Sequence, residues 1–290
     1  MASEKDITYA QAGGIDLKLD IYRPEGASKR AAILYFHGGG WRGGSREGMR
    51  NHARAMAEYG YVGLPTQYRL LGQSPFPAQI EDVKTAVRWT RAHAKDLDID
   101  PDRIILWGSS AGAHLSLLAA ATPNYAPFEG KGWEGDSSAV AAVIAEHPPV
   151  EFHLGEATGR HTTPGANLLG EGATPERAKE ASPIAYARED FPPTLLLHGT
   201  YDRVVNHAAS EAMLAALRAA KAPVDLHLFH GHNHGFASLP SMRKLLAAEV
   251  DYFLDRNVID PAKYEAETLE FSMFARRAAE ERAKAAAAAG

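Results

Sequence analysis

The sequence predicts an α/β architecture: a mostly parallel central sheet with helices on both faces. Three observations carry it. Short apolar runs alternate with amphipathic segments of roughly 10 to 20 residues along most of the chain. One of those runs, "AAILYF", is continuously apolar, and "IILW" and "LLL" are short buried cores of the same kind, as strands buried on both faces are. The run ends carry "HGGGW", "GSSAG", "EHPP", "HGTYD" and "HGHNHG", and in such sheets the strand ends are where ligands bind.

The elements follow in order. "LKLDIY", Leu17 to Tyr22, alternates apolar and polar residues and reads as a half-exposed early strand. "AAILYFHGGG" is a buried strand running into a glycine loop. "MRNHARAMAEYG" is an amphipathic helix capped by Gly60, and "YVGLPTQYRL" is the next strand. "FPAQIEDVKTAVRWTRAHA" places Ile80, Val83 and Val87 at helical spacing. "DRIILWG" and "SAGAHLSLLAAA" form a strand followed directly by a helix, and "AVAAVIAEH" adds a strand. After a loop-rich stretch come the strand "TLLLHG", the helix "HAASEAMLAALRAA", the strand "VDLHLF" and the helix "SMRKLLAAEVDYFL". Residues 1–257 read as one domain, in which 150–183, with a short helix over 175–183, is the only insertion large enough to cover a site. Residues 258–290 are Ala/Glu/Arg-rich and read as a helical extension. Tyr264, Phe271 and Phe274 are placed to dock it on the body or on a second copy, giving a homodimer.

Composition narrows the function. With 290 residues, 45% hydrophobic and 23% charged, the chain has ordinary globular content. A net charge of −5 without a basic run gives no reason to expect a nucleic-acid partner. No cysteine is present, so disulfides, thiolate metal sites and a cysteine nucleophile are excluded. The first residues, "MASEKDITYAQAGGIDLKL", are polar rather than leader-like, and no run approaches about 18 uninterrupted apolar residues. The expectation is a cytoplasmic protein without a membrane span.

"GSSAG", Gly108 to Gly112, fits G-x-S-x-G with Ser110 at its centre, between a buried strand and a helix. That context makes Ser110 a candidate nucleophile; the competing reading is a helix N-cap. A serine hydroxyl needs a base, and the base an orienting carboxylate. Asp202, in "HGTYD", follows one strand, and a histidine loop follows the next. Asp202 read alone is also a turn former. An oxyanion would need preorganised donors. The amides of Gly39, Gly40 and Ala111 are the candidates, with Gly38 shaping the turn and His37 holding the loop. The loop "LFHGHNHGF" offers His230, His232 and His234 at alternating positions, a spacing that also suits three imidazoles on zinc.

Together, "FHGGGWRGG", "YRL", "EDVKTAVRWTRAHAKDLDIDPDRIILWGSSAGAHL", "SPIAYA", "PPTLLLHGTYDRVV" and "HNHGF" resemble the α/β-hydrolase superfold. Within it they resemble the HGGGW esterases: the bacterial feruloyl-esterase-like and carboxylesterase group, related to the hormone-sensitive-lipase family. The resemblance spans about residues 15–257. It implies an α/β-hydrolase fold with a minimal cap, since the HGGG loop already begins at His37. Its pattern of aromatic residue, Gly and His-Gly-Phe fits Phe229, Gly231 and His234-Gly235-Phe236 in one register. That register makes His234 the base, oriented by Asp202, and leaves His230 and His232 as spacers. The implied activity is hydrolysis of small or aryl carboxylic esters through an acyl-enzyme, without cofactor or metal. Amide, formamide or peptide hydrolysis by the same residues is the alternative. A non-catalytic binding module and a zinc hydrolase are the other classes. Trp41 and Phe236 are expected to wall the substrate pocket. The unusual "EHPP" puts Glu146 and His147 at a strand end, with Glu146 a candidate to hold a cationic or hydroxyl-bearing substrate group, to support the base histidine, or to hydrogen-bond loop amides. His153 and His161 lie in the covering region.

Overall fold

The computed structural model describes residues 3–289. Ten strands are found among them: β1 (Ser3–Ala12), β2 (Ile15–Tyr22), β3 (Ala32–Phe36), β4 (Val62–Thr66), β5 (Ile104–Ser109), β6 (Ala142–Glu146), β7 (Glu151–His153), β8 (Thr162–Pro164), β9 (Thr194–Gly199) and β10 (Val224–Phe229). Eight form one sheet in the order β1-β2-β4-β3-β5-β6-β9-β10, and β7 pairs with β8 apart from it. From β4 to β10 every pairing is parallel; β1 with β2 and β2 with β4 are antiparallel.

The helices are α1 (Arg50–Glu58), α2 (Ala78–Ala92), α3 (Ala94–Leu97), α4 (Ala111–Ala121), α5 (Ala166–Leu169), α6 (Pro175–Glu180), α7 (Ala208–Ala219), α8 (Pro240–Leu254), α9 (Pro261–Phe271) and α10 (Met273–Ala289). Side chains alternate across the sheet. Ile105 and Trp107 of β5 pack with Ile144 of β6 and with Met56 and Val250, from α1 and α8. Ile104 and Leu106 face the other way, toward Val83 of α2 and Leu115 of α4. Both faces are thereby covered, which is why the central strands are continuously apolar.

Two features depart from the sequence reading. Strand β1 was not expected, because its residues are polar and mostly exposed; it is an edge strand that buries little beyond Tyr9. Strand β2 was expected to be half-exposed but is largely buried. Its polar Asp20 is an internal carboxylate, 3.1 Å from both Arg46 Nε and Arg50 Nε. Alternation with a charged residue therefore marked a paired interior carboxylate rather than a solvent face. The C-terminal extension is two helices, meeting at Ser272. Tyr264 packs edge-on to Tyr252 at 5.5 Å, whereas Phe271 and Phe274 are 79% and 76% exposed.

Candidate active site

At the carboxyl end of β5 the chain turns sharply into α4, and Ser110 occupies the turn at φ 53°, ψ −113°. This backbone is unfavourable for a residue with a side chain. It is held by the Ser110 amide donating to the Glu146 carbonyl at 2.9 Å and the His114 amide donating to the Ser110 carbonyl at 3.0 Å. The flanking glycines are needed for close approach. A Cβ on Gly108 would lie 2.2 Å from the Gly112 carbonyl oxygen, and one on Gly112 would lie 2.1 Å from that of Phe36. The helix thus starts tight against the sheet, with its unsatisfied N-terminal amides beside the serine.

The loops after β9 and β10 bring the other two candidates to the serine. Ser110 Oγ lies 3.0 Å from His234 Nε2, and His234 Nδ1 lies 2.6 Å from Asp202 Oδ2. With Nδ1 donating to the carboxylate, Nε2 is left free to accept the serine proton. Asp202 Oδ1 accepts from the Val204 and Val205 amides at 2.8 and 3.0 Å. Burial alone would raise the Asp202 pKa. The hydrogen bonds from His198, His234 and the Val204 amide outweigh it and hold the carboxyl well below its usual range.

His198 is a support that the sequence reading missed. It is fully buried, accepts from Ser210 Oγ at 2.7 Å, donates from Nε2 to the Val205 carbonyl at 3.0 Å, and lies 3.3 Å from Asp202 Oδ2. Its position four residues before Asp202, at the end of a buried strand, was the available signal.

The glycine loop after β3 is held from inside. His37 stacks on Tyr68 at 4.5 Å, and its Nδ1 donates to the Gly38 carbonyl at 2.7 Å. The Gly39 carbonyl accepts from the amides of Arg42 and Gly43, each at 3.1 Å. In a trans peptide the N–H points opposite its carbonyl, so the Gly39 and Gly40 amides face away from these internal bonds. A Cβ on Gly38 would lie 3.2 Å from Ser110 Cβ, so the loop runs directly beside the serine.

The structure corrects the expected pocket walls. Trp41, Glu146 and Phe236 are only 3%, 1% and 3% exposed. Trp41 donates to His114 Nδ1 at 3.2 Å and packs on Phe152, so it props the glycine loop against the 150–183 segment. Phe236 packs on Phe229 and His232. Glu146 lies on the sheet face under α1, where it accepts from Trp107 Nε1 at 2.8 Å and lies 3.2 Å from His52 Nε2. Burial would raise its pKa, but His52 and the Trp107 hydrogen bond bring it below the usual value.

The alternating histidines have different surroundings. His230 is exposed against Tyr201, His232 packs on Phe229 and Phe236, and His234 reaches Ser110. Among the described residues, the one trio of ligating side chains whose atoms lie within 4.8 Å of one another is His147, Asp202 and His234. His153 lies in β7, and His161 Nε2 is 2.9 Å from Glu151. Part of the 150–183 segment, Arg160 to Pro164 and Asn167, shares a cavity of about 260 Å³ with the Asp202–Asn206 loop.

The chain has relatives among known esterases. The chain is similar to Esterase LipQ of Mycobacterium tuberculosis, at 33% identity over 86% of this chain and 61% of the relative. It is also similar to the probable carboxylic ester hydrolase LipM of that organism, at 31% over 87% and 61%. It therefore spans about three-fifths of the length of these curated relatives. Among solved structures, apo Thermogutta terrifontis esterase 2 superposes with a TM-score of 0.76, at 28% identity over 90% of this chain and 95% of that one. The propionate-bound form gives 0.73 at 28%, over 90% and 94%. The BD-FAE family model matches residues 19–217, from β2 through the serine elbow to α7, and on that match and this architecture the chain belongs to the BD-FAE family, on the α/β-hydrolase fold.

Proposed function

We propose that this protein hydrolyses small carboxylic esters through an acyl-enzyme on Ser110, without a cofactor. The observation that carries the reading is the continuous relay from Ser110 Oγ through His234 to Asp202, at 3.0 and 2.6 Å, on a strained elbow. His234 takes the serine proton as Oγ attacks the ester carbonyl, and Asp202 stabilises the imidazolium that forms. The amides of Gly39, Gly40 and Ala111 receive the oxyanion. His234 returns the proton to the leaving alcohol, and a water activated by the same imidazole then releases the acid. The relatives' names as esterases support the reading, as do Thermogutta terrifontis esterase 2 structures described as propionate-bound and as phosphonylated by sarin.

Ser110→Ala should lower turnover of short p-nitrophenyl esters at least about a thousandfold. Retention of most of the activity would refute the proposal. The same relay serves amides and formamides, so the ratio of ester to N-formyl aromatic amide turnover decides between the two. Self-association through α9 and α10 is a companion proposal, supported by the exposed rings of Phe271 and Phe274. A Phe271→Ser/Phe274→Ser double variant sedimenting with the same mass as the wild type would remove it.

A further inference from the structure

We propose that His147 is a positioning residue for His234: its Nε2 anchors the amide after the base, and its ring backs the base's imidazole. The inference rests on the proposed role of His234 as general base.

His147 follows β6, and its amide donates to the Leu197 carbonyl of β9 at 2.8 Å. It is 1% exposed and has φ 40°. Glycine adopts that backbone freely, whereas histidine does so under strain. The strain is accompanied by specific side-chain contacts. The His147 ring lies 4.1 Å, centroid to centroid, from that of His234, tilted by 46°. Phe236 and His198 lie edge-on to it at 6.1 and 6.2 Å, so the ring is confined on several sides. Its Nε2 accepts from the Gly235 amide at 3.3 Å. Gly235 follows the base and sits at φ 78°, in a partly exposed loop.

That acceptor role fixes the tautomer. If Nε2 accepts, the proton of the neutral ring is on Nδ1, which is buried and has no partner. Half of the ring's hydrogen-bonding capacity is thus unused in the interior, and the Gly235 amide is the partner its Nε2 takes. The charged and titratable groups around it are His234, Glu146, His198 and Asp202. Burial, followed by the proximity of His234, pushes the His147 pKa down to about 3, so the ring stays neutral and Nε2 remains an acceptor. A neutral neighbour also avoids repelling the imidazolium that His234 becomes during turnover.

The test compares His147→Phe, His147→Gln and His147→Gly with wild type. Phe keeps the ring but loses the acceptor, Gln restores an acceptor at the Nε2 position, and Gly relieves the backbone. Two readouts are taken: kcat and KM on a short p-nitrophenyl ester, and the rate of Ser110 labelling by a fluorophosphonate, which needs no assumption about the substrate. Phe and Gly should each lower kcat and the labelling rate by about tenfold, with KM within about twofold, and Gln should recover much of the loss. Circular dichroism identifies any variant that fails to fold, and the remaining variants then decide. Wild-type rates in His147→Phe, or no recovery in His147→Gln, would overturn the proposal. If the wild type is labelled but turns over no ester, the ester reading fails while the labelling rates still judge His147.

Discussion

Asp202 accepts more hydrogen bonds than are needed to orient one imidazole. Both of its oxygens are engaged, one by two backbone amides and the other by His234 with His198 close by. A carboxyl so held is ionised far below the usual range, and replacing it leaves His234 free to take the wrong tautomer. Asp202→Asn should therefore lower kcat by about three to four orders of magnitude with little change in KM, in steady-state assays. The pH dependence has a definite sign. A carboxyl whose folded pKa is depressed adds stability that is full above its unfolded pKa and is lost as pH falls. The stability difference between wild type and Asp202→Asn should thus shrink as pH drops from about 4 to 2, in urea unfolding over a pH series.

At the scale of elements, the site depends on close approaches that only glycine allows. A Cβ on Gly199, at the end of β9, would lie 2.3 Å from the His232 carbonyl oxygen. Gly199→Ala should push the histidine loop away from the strand and cost at least about tenfold in kcat, with a smaller effect on thermal stability. Gly112→Ala strikes the Phe36 backbone and should instead destabilise the whole fold, visible as a lowered thermal midpoint or loss of soluble protein. The elements around these glycines were legible in the sequence, because buried parallel strands and a strand–turn–helix serine leave apolar runs and spaced glycines. The strand ends offered Ser110, Asp202 and a loop of three histidines, the family resemblance selected His234 among them, and the fold brings these three side chains together. What stayed hidden is what has no local signature. Asp20 looks like a surface residue until Arg46 and Arg50 arrive from another segment. Glu146 sits at a strand end near Ser110, yet strand alternation turns its carboxylate to the opposite face, under His52. Trp41 packs against Phe152, which belongs to the 150–183 segment.

Across the whole molecule, buried neutral histidines tie separate parts together. His114 accepts from Trp41 of the glycine loop and donates to the Ala181 carbonyl of the 150–183 segment at 2.8 Å. Burial lowers its pKa to about 4, and burial also lowers those of His37 and His147. Each binds a proton more readily when unfolded, so their combined contribution is full above the ordinary histidine pKa and is lost as pH falls through the folded values. Wild-type stability should decline from about pH 6.5 to 4, and His114→Leu should show a shallower slope over that window in denaturant melts. The relay itself joins residues far apart in the chain: 124 positions separate Ser110 from His234, and 32 separate Asp202 from His234. The relay is complete only with β9 beside β6 and β10 beside β9, contacts between residues distant in the chain that are slow to form. The proposed turnover therefore requires these long-range pairings to be in place. During refolding from urea, recovered hydrolysis should never precede recovery of the near-ultraviolet signal of the buried tryptophans, and a chain ending before His234 should acquire secondary structure without ever becoming active.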